Sequence, residues 1–92
     1  MGETTFRLGN THKVAYTASA GNSSKVGKNT TKVRVWCSTD AYIKIGDGVT
    51  ATTNDAPVGA SIPECFDISP GERVSAVKIS NDGNLHVTEL SK

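Results

Sequence analysis

Residues 72–90 read Glu72-Arg73-Val74-Ser75-Ala76-Val77-Lys78-Ile79, then Ser80-Asn81-Asp82-Gly83-Asn84, then Leu85-His86-Val87-Thr88-Glu89-Leu90. Two runs rich in strand formers flank a cluster of turn formers, which is the pattern of a β-hairpin. Side chains alternate along a strand and directly opposed residues share a face. Pairing Ile79 with Leu85 and Val77 with Val87 therefore puts four apolar side chains on one side. The other side carries Lys78 and His86, with Val74, Ala76 and Leu90 towards its far end. Nothing in the stretch is chemistry; its content is architectural.

Upstream, Lys32–Cys37 and Ala41–Ile45 are the clearest alternating runs, joined by Ser38-Thr39-Asp40. A three-residue hairpin loop would pair Cys37 with Ala41, Val35 with Ile43 and Val33 with Ile45, all facing a core. The same register sets Trp36 opposite Tyr42 and Arg34 opposite Lys44 on the outer face. Opposed like charges there would splay or seek an anion. Between the two hairpins lie a turn-rich loop from Gly46 to Pro57, a short strand over Val58–Ile62, and the break at Pro63. A further strand over Cys65–Ile68 follows, with Phe66 and Ile68 on one face, and then the turn Ser69-Pro70-Gly71-Glu72. At the N-terminus, residues 3–8 read as an edge strand or flexible arm within residues 1–10. Gly9-Asn10 breaks it, and a second strand runs from His12 to Thr17. Residues 18–31 hold one strongly apolar side chain, Val26, and read as a mobile loop that could order on a partner. The expected core is Val14, Val33, Val35, Ile43, Ile45, Phe66, Ile68, Val77, Ile79, Leu85 and Val87.

Composition points the same way. Nine Val and five Ile stand against three Leu, and Thr is the commonest residue at eleven. β-branched residues suit a pleated surface and lose rotamer freedom in a helix, so the chain reads as all-β. Ninety-two residues make one domain. The expectation is an antiparallel β-sandwich, jelly-roll-like, of about eight short strands. A chain this short buries a modest core, so assembly into a homo-oligomer would help its stability. The net charge of +1 supplies no field to draw the protein to nucleic acid. No apolar run is long enough to span a membrane and the first residues do not open a signal peptide, which predicts a cytoplasmic product with no membrane partner.

The candidate chemistry is sparse. His12 and His86 are the only histidines and neither sits in a nucleophile motif, which argues against an enzyme. Cys37 and Cys65 lack the paired spacing of zinc ligands, so no metal or cofactor is expected. They read as free thiols packed as small apolar core residues, with a disulfide between neighbouring strands also open to their spacing. Asp40, Asp47, Asn54 and Asp55 supply oxygens that calcium uses, and equally the ordinary side chains of turns. That leaves the outward quartet Arg34, Trp36, Tyr42 and Lys44, which fits a protein contact face or, second, a stacking platform for a sugar or base.

Across about two-thirds of the chain a run of motifs carries a resemblance. The motifs are Thr39-Asp40, Tyr42 to Gly46, Thr50-Ala51-Thr52-Thr53, Ala56-Pro57, Ile62-Pro63-Glu64-Cys65-Phe66, Pro70-Gly71-Glu72-Arg73-Val74 and Val87-Thr88-Glu89. In this order they resemble small structural proteins encoded beside the major capsid protein in tailed bacteriophages. The resemblance implies a compact β-sandwich that is a virion component made in a bacterial host. Its role would be a head decoration or cement protein whose partners are the major capsid protein or other virion proteins. The alternative it leaves is a carbohydrate- or host-receptor-binding module of a tail or fibre.

Overall fold

The alternating runs become eight strands in the computed structural model, which describes residues 6–91. They are β1 (Arg7–Tyr16), β2 (Gly21–Asn22), β3 (Lys32–Cys37), β4 (Ala41–Gly46), β5 (Ala56–Val58), β6 (Glu64–Asp67), β7 (Arg73–Lys78) and β8 (Gly83–Ser91). Two four-stranded antiparallel sheets face each other, ordered β1-β8-β3-β6 (sheet A) and β2-β7-β4-β5 (sheet B). The first strand pairs with the last, the second with the seventh, the third with the sixth and the fourth with the fifth. This is a long hairpin folded back over itself, the winding of a jelly roll, and it bears out the expected sandwich.

The local connections differ from the expected ones. β3 and β4 lie in different sheets, as do β7 and β8. Neither Ser38-Thr39-Asp40 nor Ser80-Asn81-Asp82 closes a hairpin; each arches across the sandwich. The two arches are bonded together at one end. Ser38 N–H donates to Asn84 O at 3.0 Å, Asn84 N–H to Ser38 Oγ at 2.8 Å, and Thr39 Oγ1 to Asn81 O at 3.0 Å. Tyr16 completes the junction from β1, its hydroxyl donating to Thr39 O at 2.7 Å and accepting from Thr39 N–H at 3.2 Å. A side chain at Gly83 would overlap Thr39 Oγ1 and crowd the Tyr16 hydroxyl, so the junction requires glycine there.

The core follows from the two inner faces. Val33, Val35 and Cys37 of β3, Leu85 and Val87 of β8 and Tyr16 of β1 meet Ala41 and Ile43 of β4 and Val74 and Ala76 of β7. Ile68 is buried, and Val14, Ile45 and Phe66 pack at its margin. Two expected core positions are corrected. Val77 pairs with Tyr42 and so belongs to the outer face of sheet B, although it is buried there, while Ile79 is 39% exposed at the arch. A hairpin between β7 and β8 would fix the phase of β7 one residue off, and a one-residue shift of phase exchanges a strand's faces.

The N-terminal expectation is also revised. Arg7–Tyr16 is one strand with an irregularity between Leu8 and Thr11, so Gly9-Asn10 is a bulge within it, and Arg7 and Leu8 pair with Ser91 and Leu90. The rest of the expected arm, residues 1–5, lies outside the described residues. Residues 18–31 cross from sheet A to sheet B at β2, return towards β3 in sheet A and bury Ser23, Val26 and Thr30, so the premise that they have little to bury does not hold. Ser23 N–H donates to Val74 O at 2.8 Å and Val26 N–H to Glu72 O at 2.9 Å. Cys37 is buried as expected, but Cys65 is exposed on β6, and both are free thiols.

Candidate functional site

β3 is half core and half surface by strict alternation. With Val33, Val35 and Cys37 inward, Lys32, Arg34 and Trp36 stand on the outer face of sheet A. Register then supplies their neighbours: Trp36 is paired with His86 and Arg34 with Thr88, while Thr88 is paired on its other side with Thr11. The Trp36 and His86 rings meet edge to face with centroids 5.1 Å apart and planes at 75°. The Thr11 and Thr88 hydroxyls are bonded at 2.9 Å. Leu8, beyond the bulge, closes the patch and is 70% exposed.

Together Leu8, Thr11, Arg34, Trp36, His86 and Thr88 line a shallow groove of about 350 Å³ on this face. The lining combines an aliphatic and an aromatic surface with the bonded Thr11 and Thr88 hydroxyls and the Arg34 guanidinium. Among the described residues no carboxylate pairs with Arg34, and no group accepts from the Trp36 indole N–H. Such a surface can bury an apolar group while Arg34 and the Trp36 indole donate to acceptors on a partner, the composition of a contact patch.

The expected quartet does not assemble. Arg34 and Trp36 lie in this groove, but Tyr42 and Lys44 project from the outer face of sheet B, on the opposite side of the molecule. Tyr42 is flanked by Pro57 and Val77, and Lys44 by Ser75. Part of that face is covered by the loop after β4: Ser75 Oγ, fully buried, accepts from Ala51 N–H at 2.8 Å and donates to Asn22 Oδ1. The residues that do join Trp36 come from β8 and β1, far along the chain. Only the polar side of the 85–90 alternation, with His86 on it, could have signalled them.

A second polar cluster sits on the inner face at one end of the sandwich, where His12 of β1 and Glu89 of β8 close the core. His12 Nε2 lies 2.7 Å from Glu89 Oε2, while Glu89 Oε1 accepts from Thr30 Oγ1 and from Gly27 N–H at 3.1 Å. Burial alone would raise the Glu89 pKa. The hydrogen bonds from Thr30, His12 and Gly27 outweigh it and hold the carboxyl below its ordinary value. The carboxylate thereby ties the 18–31 crossover to β8.

Two of the acidic loop residues hold backbone N–H groups, Asp40 between loops and Asp55 within its own turn. Asp40 Oδ1 accepts from Ala60 N–H at 2.7 Å, and Asp55 Oδ2 from Thr52 N–H at 2.7 Å. Among the described residues no three metal-binding side chains converge, and no helix is long and apolar enough to cross a membrane. Burial pushes the Cys37 thiol up to about 11, far from a reactive thiolate. No family model matches the chain, and no curated protein or solved structure matches it.

Proposed function

We propose that this protein is a structural component of a phage virion, a head decoration or cement protein, which works by burying the outer face of sheet A against assembled capsid subunits rather than by turning over a substrate. The observation that carries the contact is the groove between Leu8 and Trp36: a 70% exposed leucine at one end and a half-buried tryptophan at the other, both on the outer face of sheet A. Apolar and aromatic side chains of this kind stabilise the protein little where they stand and gain most when a partner covers them. The virion setting is supported by the ordered motifs between Thr39 and Glu89.

The test is to remove the protein from virions and, separately, to replace Trp36 and Leu8. A ligand that binds only the assembled shell stabilises it by mass action, so heads lacking the protein should lose resistance to heat or low salt. Trp36→Ala and Leu8→Ser should leave the fold intact and abolish attachment to heads. Heads that keep full stability, on particles that fail to adsorb to cells, would instead establish the receptor- or carbohydrate-binding role, for which Trp36 beside Arg34 and His86 is also suited.

A further inference from the structure

Sheet A ends in two unlike edges. Among the described residues β1 is bonded only to β8 and β6 only to β3; Gly21 packs against the Ala15 carbonyl, so β1 leaves its backbone donors and acceptors open up to Val14, and β6 leaves those of Glu64–Asp67 open. β1 carries Arg7 and Lys13, both exposed, and no acidic residue; β6 carries Glu64 and Asp67, both exposed, and no basic one, with Asp67 Oδ1 also accepting from Lys32 Nζ of the neighbouring β3 at 2.5 Å. Like charges oppose pairing of β1 with β1 or of β6 with β6, the usual protection of an edge. The same charges favour β1 with β6. The edges of sheet B offer less, a strand of two residues and a strand of three containing Pro57.

Strand direction agrees. Every pair in sheet A is antiparallel, so β1 and β6, at opposite ends of the order β1-β8-β3-β6, run antiparallel to each other. A second copy displaced sideways would therefore continue the sheet's alternation across the junction without being turned over. Face matching agrees as well. Lys13, paired with His86, and Asp67, paired with Lys32, are both on the outer face, while Val14, paired with Leu85, and Phe66, paired with Val33, are both half-buried on the inner face. Setting Lys13 opposite Asp67 brings Val14 opposite Phe66. We infer that copies of this chain associate head to tail through sheet A, β1 of one against β6 of the next, with Lys13–Asp67 and Val14–Phe66 as the matched cross-strand pairs. The contact is heterologous, so it builds rings or strings rather than isolated two-fold dimers. It uses the sheet's edges and does not depend on the virion reading, which uses its face.

The paired segment is short, so the contact is weak in free solution, and sedimentation equilibrium from about 10 µM to about 1 mM covers the range in which weak contacts populate. The wild-type mass should rise with concentration. Lys13→Glu alone and Asp67→Lys alone should each stay at the monomer mass, and Lys13→Glu with Asp67→Lys in one chain should recover the wild-type rise. Thermal unfolding of each variant separates loss of association from loss of fold. A second variant leaves every charge in place. In the inferred register Ala15 falls opposite the exposed Cys65, so Ala15→Cys should give disulfide-linked dimers and higher species on mild oxidation. Within one molecule these positions are on opposite edges, three strand spacings or about 14 Å apart, too far for an internal bridge. A wild-type mass that stays at the monomer across the range, or a double charge reversal that fails to recover association, would overturn the inference.

Discussion

Gly83→Ala should be among the most damaging single-methyl changes in this protein. Gly83 does not have the positive φ that Gly48 and Gly71 have, so the cost is one of space and not of backbone conformation. The new methyl would overlap Thr39 Oγ1 and lie 2.6 Å from the Tyr16 hydroxyl and 2.8 Å from Ser38 Oγ. None of these oxygens is the free end of a flexible chain: Tyr16 and Thr39 are bonded to each other, Thr39 to Asn81 O, and Ser38 to Asn84 N–H. Relieving the overlap must lengthen or break about three hydrogen bonds, each worth roughly 1 kcal/mol net. Alanine's advantage over glycine in a strand returns about 0.5–1 kcal/mol, leaving a loss of about 2 kcal/mol. For a domain of this size that is a fall of roughly 8–16 °C in Tm, with a matching drop in urea midpoint at unchanged slope. Gly59→Ala is the control, since its methyl would meet the far end of the exposed Ile62 side chain, Cδ1 at 3.0 Å, which can swing away, and should cost less than about 1 kcal/mol. If Gly83→Ala is no less stable than Gly59→Ala, the bonded junction of the two arches is not what fixes that end of the sandwich.

Three further outcomes are expected. Ile43→Ala should cost about 2–4 kcal/mol in denaturant unfolding and Ile79→Ala under about 1, because Ile43 lies in the core and Ile79 is 39% exposed; equal losses would restore the hairpin register. Glu89 has a folded pKa below its unfolded value, so its stabilisation is fully present above the unfolded pKa and is lost as pH falls through the folded one. Stability measured from neutral pH down into the carboxyl range should therefore drop more for wild type than for Glu89→Gln, and parallel curves would show the clamp on Thr30 and Gly27 to be inert. Under native conditions a thiol reagent should modify Cys65 alone, with Cys37 reacting only on unfolding; two equivalents consumed by folded protein would contradict its burial and its pKa of about 11.

The sandwich was legible because alternation and turn spacing are local. β3 and β4 each present one apolar side, and whether Ser38-Thr39-Asp40 folds them onto one sheet or arches them across two, Val33, Val35, Cys37, Ala41 and Ile43 still face inward. The core survives the wrong connection. β7 is different, because Val74, Ser75, Ala76 and Val77 are all buried. One side of β7 packs in the core and the other is partly covered by the loop around Ala51 and flanked by Tyr42, so the strand's polarity carries no phase. The phase then came from the assumed hairpin, and with it the misplacement of Val77 and Ile79.

An outer face has no such protection from a wrong connection. In a hairpin, outward residues of consecutive strands are neighbours; in an arch they point away from each other through the thickness of the molecule. The grouping of Trp36 and Arg34 with Tyr42 and Lys44 therefore depended wholly on the turn at 38–40, and the arch separates them onto two faces. Jelly-roll winding goes further, since pairing the first strand with the last assembles each outer face from segments remote in sequence. Trp36 meets His86 and Thr11 meets Thr88, contacts that no local pattern encodes. The same winding leaves β1 and β6 as the two edges of one sheet, so that Lys13 and Asp67, unremarkable as charges in a nearly neutral chain, become opposite and complementary borders. What the chain presents to partners is thus set by its long-range pairing, while what it buries is set by its local alternation.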